Sequence, residues 1–263
     1  MLNLPPNPQF CQTSVSGSTF VNADCFDVFP FIEDKSIDAI ICDLPYGTTA
    51  CKWDSILPFD KLWQSYERII KDNGVIVLFS SQPFTSALVM SNPKLFKYEW
   101  VWDKVNKYTG FLQASIRPLK RHENILIFSK SKTTFNKQMV SIIPYSQRKS
   151  QNYGKKETTY RTIKNENPNK INETSEIGLG NPFSIIQFKS QNPKVEHPTQ
   201  KPIELMEYLV KTYTNEGDMV LDNTMGSGTT NLACIKLNRK SIGIEKEKQY
   251  YDVAVRRALE YCP

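Results

Sequence analysis

A carboxylate stands at the end of an apolar run in the segment IICDLPYGTT, residues 40–49. Residues 37–42 predict a buried strand, and the Pro-Tyr-Gly sequence that follows predicts a turn shortly after Asp43. An aspartate at such a position can simply hydrogen-bond a tight turn. It can also hold a carboxylate beside the ring of Tyr46 at the rim of a pocket.

A second group of polar residues surrounds the glycines of LDNTMGSGTTNLACI, residues 221–235. Asp222 ends one predicted strand, and Glu245 ends the next strand along the chain. Gly226 and Gly228 between them allow a backbone to approach a ligand closely. The hydroxyl residues Ser227, Thr229 and Thr230 could cap the helix that follows. A lone Gly-x-Gly is weak evidence by itself, because it also serves as an ordinary turn from strand to helix.

The acids around these glycines favour one class of ligand. The segment lacks the third glycine of a dinucleotide-binding G-x-G-x-x-G motif, and Asp222 would repel a diphosphate. An acid at the position of Glu245 is well placed to bind ribose hydroxyls. A ligand with both an adenosine and a positive charge fits best, so we prefer S-adenosylmethionine to NAD or ATP.

Apolar runs of strand length alternate with amphipathic segments of helical length over most of the chain. The predicted strands are 18–24, 36–43, 74–81, 98–104, 123–130, 218–224 and 241–246. The predicted helices are 58–72, 84–91, 202–214, 229–237 and 248–261. Asn73-Gly74 is the predicted stop of the first of these helices. The alternation predicts an α/β fold with a doubly wound, mostly parallel sheet.

Composition excludes several classes of protein. No stretch approaches the roughly 18 apolar residues of a membrane helix, and the N-terminus lacks the pattern of a signal peptide. We therefore expect a cytoplasmic protein without membrane association. The six cysteines form no C-x-x-C pair and the two histidines are too few for a zinc site, so no metal is expected.

The net charge of +6 is concentrated in one polar segment. Residues 141–195 contain nine Lys or Arg and four Asp or Glu, interleaved with tyrosine and phenylalanine. This composition suits a surface that contacts phosphates and bases, and it equally suits a solvated insertion. The composition alone leaves both interpretations open.

The ordered set of motifs resembles an amino-group DNA methyltransferase of the permuted, β-type arrangement. The similarity runs from about residue 20 to 261 outside the polar segment and is carried by NADCFD, ICDLPYG, LFSSQPF, RPLKRHENILIFSK, HPTQKP, LDNTMGSGTT and GIEKEKQYYDVA. The resemblance implies a Rossmann-like, circularly permuted methyltransferase fold with an inserted target-recognition region. Residues 1–130 would form the catalytic half, 131–195 the insertion and 196–263 the cofactor-binding half.

The resemblance also implies a set of residues that bind S-adenosylmethionine. Glu245 would bind the ribose, Asp24 would recognise the cofactor adenine, and Thr199 and Lys201 of HPTQKP would lie near its methionine end. The remaining cofactor residues would be Asp43, Asp222, Gly226, Ser227, Gly228 and Thr229.

The catalytic residues implied by the resemblance are Asp43 to Tyr46. The amino group of a base is a poor nucleophile because its lone pair is delocalised into the ring. Asp43 and the carbonyl of Leu44 would accept its two hydrogens, which frees the lone pair for a direct displacement. Tyr46 would stack on the base, and Pro45 would make the turn rigid. Leu44 stands where most relatives have proline, but a main-chain oxygen is available at any residue.

The substrate implied by the resemblance is an adenine N6 amino group in duplex DNA, with cytosine N4 as the alternative. An acid at the head of the motif favours adenine in this family. The base would have to be flipped out of the helix, and the loop around Gly110 would close over it. Phosphate contacts are expected from Lys104, Lys107, Arg117, Lys120 and Arg121.

Other assignments stay open at this point. A catalytically silent DNA-binding protein and an RNA or protein methyltransferase are the competing classes. A restriction endonuclease is a candidate partner, and both a monomer and a homodimer are compatible with the sequence.

Overall fold

A computed structural model describes residue 2 and residues 10–47, 54–142, 178–190 and 200–262. The chain forms two compact units. One comprises Met1–Asn136 with Phe183–Pro263, and the other is Lys137–Pro182. In the described part of the smaller unit, β7 (Val140–Ile142) pairs antiparallel with β8 (Gly178–Gly180).

The larger unit contains a nine-stranded sheet in the order β1-β2-β11-β10-β3-β4-β6-β5-β9. Its strands are β1 (Cys11–Val15), β2 (Ser18–Asn22), β3 (Ile37–Cys42), β4 (Ile70–Ser80), β5 (Phe96–Asp103), β6 (His122–Phe128), β9 (Ile185–Gln187), β10 (Met219–Asp222) and β11 (Lys240–Glu245). The central strands from β2 to β4 are all parallel, and the antiparallel pairs β1–β2, β4–β6 and β6–β5 flank them. The predicted mostly parallel sheet is therefore confirmed.

Helices on the sheet bury its apolar strands. They are α1 (Cys25–Val28), α2 (Phe59–Ile69), α3 (Phe84–Ser91), α4 (Ile203–Tyr213), α5 (Thr229–Lys236) and α6 (Lys248–Tyr261). In α2, which lies within the predicted helix 58–72, the apolar residues Leu62, Trp63, Tyr66 and Ile69 are all buried. Among the described residues, no helix combines the length and the apolar character that crossing a bilayer requires.

The predicted stop of α2 at Asn73-Gly74 is wrong. The helix ends at Ile69, and both residues lie inside β4. Ile70 already pairs with Ile37 of β3, and the next pair, Ala39 with Val75, is shifted in register. Gly74 fits this irregularity because a Cβ there would lie 2.7 Å from Cγ1 of Ile70. The glycine therefore relieves crowding inside a strand and does not end the helix.

Two strands of the large sheet were not predicted. β1 has the sequence CQTSV, whose mostly exposed polar residues give no apolar signal. β9 lies in the polar segment, pairs with β5 and forms one edge of the sheet. The large unit thus includes residues 131–136 and 183–190 of the predicted insertion. The target-recognition role of residues 131–195 stays a prediction.

Candidate active site

The large unit contains a cavity of about 890 Å³ at the carboxyl ends of its parallel strands. Four acids that follow or end neighbouring strands line this cavity: Asp24, Asp43, Asp222 and Glu245. A pocket at this edge is the usual ligand site of an open α/β sheet. The structure therefore brings the two opening motifs of the sequence into one site.

Asp43 follows directly after β3 and has partners on all its oxygens. Its Oδ1 accepts a hydrogen bond of 2.7 Å from the Tyr46 hydroxyl, and its Oδ2 accepts one from Nζ of Lys201. Its main-chain oxygen accepts a 3.0 Å hydrogen bond from the Thr224 hydroxyl. Burial raises the pKa of the Asp43 carboxyl, and the charge of Lys201 opposes that rise. Thr224 thus links the predicted catalytic motif to the glycine loop.

Lys201 is a buried cation held between two acids. It is only 8% exposed, and its Nζ contacts Asp43 and lies 3.6 Å from Oε2 of Glu123. The ring of Phe79 lies 5.0 Å from the same nitrogen. Burial disfavours the charge, yet Asp43 and Glu123 together raise the pKa of Lys201. The predicted cofactor residue therefore lies beside the predicted catalytic carboxylate.

Glu123 is a site residue that the sequence reasoning missed. It lies near the start of β6, lines the cavity and forms an ion pair with Lys104. Burial opposes its ionisation, but Lys201 and Lys104 lower its pKa. The signal that could have found it is an acid near the start of a strand whose last four residues, 125–128, are all buried.

The rest of the predicted catalytic motif is fixed by packing. Leu44 is buried and belongs to the hydrophobic core. The ring of Tyr46 stacks on Phe84, with centroids 5.1 Å apart and an interplanar angle of 26°. Leu44, Pro45 and Tyr46 all line the cavity. Their predicted roles toward the base stay predictions.

The glycine loop forms one wall of the cavity. Gly226 and Gly228 both have positive φ, 52° and 72°. The Gly226 N–H donates to Oε2 of Glu245 at 2.9 Å, and the Glu247 N–H donates to Oε1 at 2.8 Å. Burial raises the pKa of Glu245, and these two donors oppose it. The loop and the end of β11 are thereby held together around one carboxylate.

Asp222 is the most buried acid of this wall, with 4% exposure. Its Oδ2 accepts a 2.5 Å hydrogen bond from Thr230, and its Oδ1 accepts a 3.2 Å bond from the Thr224 N–H. Burial raises its pKa to about 7, against these two donors. The site thus holds an acid that lacks a cationic partner among the described residues and would gain from a bound cation.

Ser227 and Thr229 have partners from elsewhere in the chain. The Ser227 hydroxyl donates to Oε1 of Gln200 at 3.0 Å. Arg257 of α6 donates to the main-chain oxygen of Ser227, and at 3.1 and 3.2 Å to the hydroxyls of Ser227 and Thr229. Gln200 and Arg257, neither of which was predicted, position this end of the loop.

Asp24 lies at the start of α1 and lines the same cavity. It caps the helix by accepting a 3.0 Å bond from the Phe26 N–H, and it forms an ion pair with Lys246 at 3.1 Å. Thr199, the other predicted residue near the cofactor, lies outside the described residues.

The predicted phosphate-binding cations are not equivalent in the structure. Lys104, Lys107 and Lys120 line the cavity, and Lys120 hydrogen-bonds the Ser81 hydroxyl. Arg121 instead forms a two-point ion pair with the buried Asp103, with both nitrogen–oxygen distances 2.8 Å. Arg117 is exposed, in the loop closed by the Thr109–Lys120 bridge.

These observations fit S-adenosylmethionine. The cavity volume lies within the roughly 300–1,000 Å³ typical of small-molecule sites. Asp222 offers a buried carboxylate for a cation, and Glu245 offers a second one held by main-chain donors. Gly226 and Gly228 adopt positive φ and have no side chain, so the loop backbone can approach a ligand closely.

Gly228 yields a stability prediction. A Cβ at this residue would lie 2.8 Å from that of Ala254, and φ is positive. We expect Gly228→Ala to lower the free energy of unfolding by about 1–3 kcal/mol through overpacking and backbone strain. Urea denaturation measures this change in the free energy of unfolding. Gly217→Ala is the matched control, because φ is 83° there but no atom lies within 4 Å. An equal loss in both variants would contradict the packing argument.

Comparisons with known proteins agree with this geometry. A family model described as DNA methylase matches residues 37–256. The Type II methyltransferase M.HpaI of Haemophilus parainfluenzae is 32% identical over 244 residues, which cover 86% of this chain and 69% of that protein. The Type II methyltransferase M1.MboII of Moraxella bovis is 31% identical over 258 residues, or 88% of this chain and 92% of its own. The chain belongs to the DNA methylase family.

Solved structures support the same assignment. The M1.HpyAVI–SAM complex is 28% identical, with a TM-score of 0.60 over 90% of this DNA methylase and 98% of that chain. The cytosine-N4-specific PvuII DNA methyltransferase, at 15% identity and a TM-score of 0.63, shares the fold. This DNA methylase is an S-adenosylmethionine-dependent DNA methyltransferase, so the predicted fold, activity and cofactor are confirmed.

Proposed function

We propose that this DNA methylase transfers a methyl group to the N6 amino group of a flipped-out adenine in duplex DNA. The observation that carries the proposal is the position of Asp43. Its carboxylate lines the same cavity as Asp222 and Glu245, and Lys107 and Lys120 line that cavity as well. Acids that would bind the cofactor and lysines that would contact DNA thus line the same cavity as the Asp43 carboxylate. The acid at the head of the motif supports adenine over cytosine.

The cofactor would be held by three acids. S-adenosylmethionine supplies an activated methyl group on a sulfonium. Asp222 would bind its ammonium, Glu245 its ribose hydroxyls, and Asp24, at the start of α1, its adenine. Ser227, Thr229 and the two glycines would shape the wall against which it lies.

The chain itself would activate the target amino group. Asp43 and the main-chain oxygen of Leu44 accept the two amino hydrogens, so that the nitrogen lone pair is freed for attack. The Tyr46 ring, fixed by Phe84, would stack on the base. The displacement then requires no covalent intermediate with the enzyme.

The biological setting is part of the same proposal. The relatives are named Type II methyltransferases. We infer that this enzyme modifies the recognition site of a partner restriction endonuclease, in the cytoplasm where host DNA lies. The segment 131–195 would carry the sequence recognition.

Nucleoside analysis tests the proposed product. Duplex DNA is incubated with the enzyme and S-adenosylmethionine that carries an isotopically labelled methyl group, digested to nucleosides and analysed by mass spectrometry. Labelled N6-methyl-2′-deoxyadenosine is the expected product. Label in N4-methyl-2′-deoxycytidine alone, or label in RNA but not in DNA, would overturn the proposal. Sequencing methylated DNA from a host that expresses the enzyme also gives the recognition site.

The exposed cations yield a prediction on DNA affinity. Lys107 and Arg117 are exposed and, within the described residues, neither forms an ion pair with a carboxylate, unlike Lys104 and Arg121. We expect Lys107→Ala and Arg117→Ala each to weaken binding to all DNA sequences alike and to reduce the slope of log K against log salt by about 0.9. Titrations at several salt concentrations measure the slope. Lys94→Ala, an exposed lysine outside the cavity wall, is the control. An unchanged slope in both variants would show that neither residue contacts the DNA phosphates.

A further inference from the structure

Glu123 is a partly buried acid, with a side chain that is 15% exposed, to which the proposed mechanism gives no role. Its Oε1 accepts a hydrogen bond from Nζ of Lys104. Its Oε2 is buried and, within the described part of the chain, has no hydrogen-bond partner. A buried polar atom without a partner is rare and calls for an explanation. The nearby cation is Lys201, whose Nζ is 3.6 Å away and therefore too far for a hydrogen bond.

The second observation concerns the carboxylate that must bind the target. Both oxygens of Asp43 already carry donors, the Tyr46 hydroxyl on Oδ1 and the Lys201 ammonium on Oδ2. An amino group that enters the site therefore competes with a charged donor for Oδ2. Charge-assisted hydrogen bonds are roughly twice as strong as neutral ones. A neutral amino group gains little from Asp43 while Lys201 stays there.

The Lys201 ammonium cannot leave Asp43 for bulk water. The side chain is 8% exposed and lies against Phe79, so a charged ammonium needs another buried partner. Oε2 of Glu123 is the acceptor in reach. Nζ has to travel less than about 1 Å to reach the usual distance of a charge-assisted hydrogen bond.

We propose that the Lys201 ammonium moves from Asp43 to Oε2 of Glu123 when the target amino group enters, which makes Glu123 a positioning residue for methyl transfer. The inference rests on the proposed adenine-N6 activity. In the free enzyme Lys201 compensates the charge of Asp43. In the substrate complex Lys201 pairs with Glu123 instead. Asp43 Oδ2 is thereby released to the amino hydrogen at the moment it is needed. Lys104 holds the other oxygen of Glu123 throughout.

The test uses the full-length enzyme and two duplexes that carry the mapped recognition site. One contains adenine at the target position, and the other contains purine, which lacks the exocyclic amino group. Dissociation constants are measured with S-adenosylhomocysteine present, so that no transfer occurs. We expect Glu123→Gln to lower the preference for adenine over purine about tenfold relative to wild type, since the lost interaction is a hydrogen bond to a charged group. Affinity for the purine duplex is expected to change less than about twofold.

Two further variants complete the design. Glu123→Asp keeps the charge and is expected to retain most of the adenine preference, which separates the charge from general packing. Glu99→Gln is the matched control, because Glu99 is an exposed acid on the neighbouring strand β5. Both are expected to transfer methyl groups in a single turnover faster than Glu123→Gln.

Equal loss of affinity for both duplexes in Glu123→Gln would overturn the inference, because structural damage weakens both. An unchanged adenine preference would overturn it as well. Nucleoside analysis of the same wild-type preparation separates this failure from failure of the proposed function. If the wild-type enzyme produces N6-methyl-2′-deoxyadenosine and Glu123→Gln keeps the normal adenine preference, the proposed movement of Lys201 fails while the proposed function stands.

Discussion

Replacing Asp43 by alanine is expected to lower the rate of methyl transfer about 10²–10³-fold, the usual effect of removing one group that stabilises developing charge. The loss should appear in the single-turnover rate, because the carboxylate acts on the amino group during attack. The affinity for S-adenosylmethionine should change little, since Asp222 and Glu245 hold the proposed contacts to the ammonium and the ribose. Rates with labelled cofactor and calorimetric binding measure the two effects.

The fold should tolerate this replacement. Lys201 keeps Glu123 as a partner, so that its buried charge is not left alone. Asp43→Asn retains one acceptor oxygen without the charge and is expected to fall between wild type and Asp43→Ala. Asp72→Ala removes an exposed acid paired with Lys35 and serves as the control. Methyl transfer by Asp43→Ala at the wild-type rate would show that another group accepts the amino hydrogens.

The strands that carry the site could be predicted because each is an apolar run bounded by a clear break. β3 is IDAIIC followed by Asp43, and β10 is MVLD followed by the glycine loop. Buried parallel strands need such continuous runs. Their carboxyl ends share one edge of the sheet, so the convergence of Asp43, Asp222 and Glu245 follows from topology.

The contacts inside the site could not be predicted in the same way. Lys201 and Asp43 are 158 residues apart, and Glu123 lies on a strand that enters the sheet antiparallel. Which side chains meet depends on register and strand order, and local sequence does not determine either. The same limit explains the error at Asn73-Gly74. The dipeptide is a common stop signal, but pairing of Ile70 with Ile37 decided its conformation.

The affinity for S-adenosylmethionine is expected to rise with pH between about pH 6 and 7.5, because Asp222 has a pKa of about 7 in the free protein. A cationic ammonium binds the ionised carboxylate, so below this pKa binding must expel a proton. The dissociation constant should then fall by up to about tenfold per pH unit as the pH rises toward 7. The cofactor amine keeps its charge up to about pH 7.7. Above that value the affinity should decline again.

Asp222 also affects the stability of the free protein. Its effect on stability has the opposite pH dependence to its effect on cofactor affinity. The folded-state pKa of Asp222 is raised above its ordinary value of 3.8. Its contribution to stability is therefore fully present below that value and is lost as the pH rises through about 7. A bound ammonium favours the ionised carboxylate and so offsets the effect of burial. Saturating cofactor is thus expected to raise the melting temperature more at about pH 8 than at about pH 6.

Asp222→Asn separates these effects from the other acids of the site. The amide fills the same space without titrating, so the affinity is expected to be weaker than wild type by about tenfold at pH 7.5 and nearly independent of pH below that. Calorimetric titrations across the range measure both quantities, with Asp72→Asn as a control that keeps the wild-type slope. A slope that persists in Asp222→Asn would assign the proton to Glu245 or Asp43, whose pKa values burial also raises. The ammonium would then be held elsewhere in the cavity.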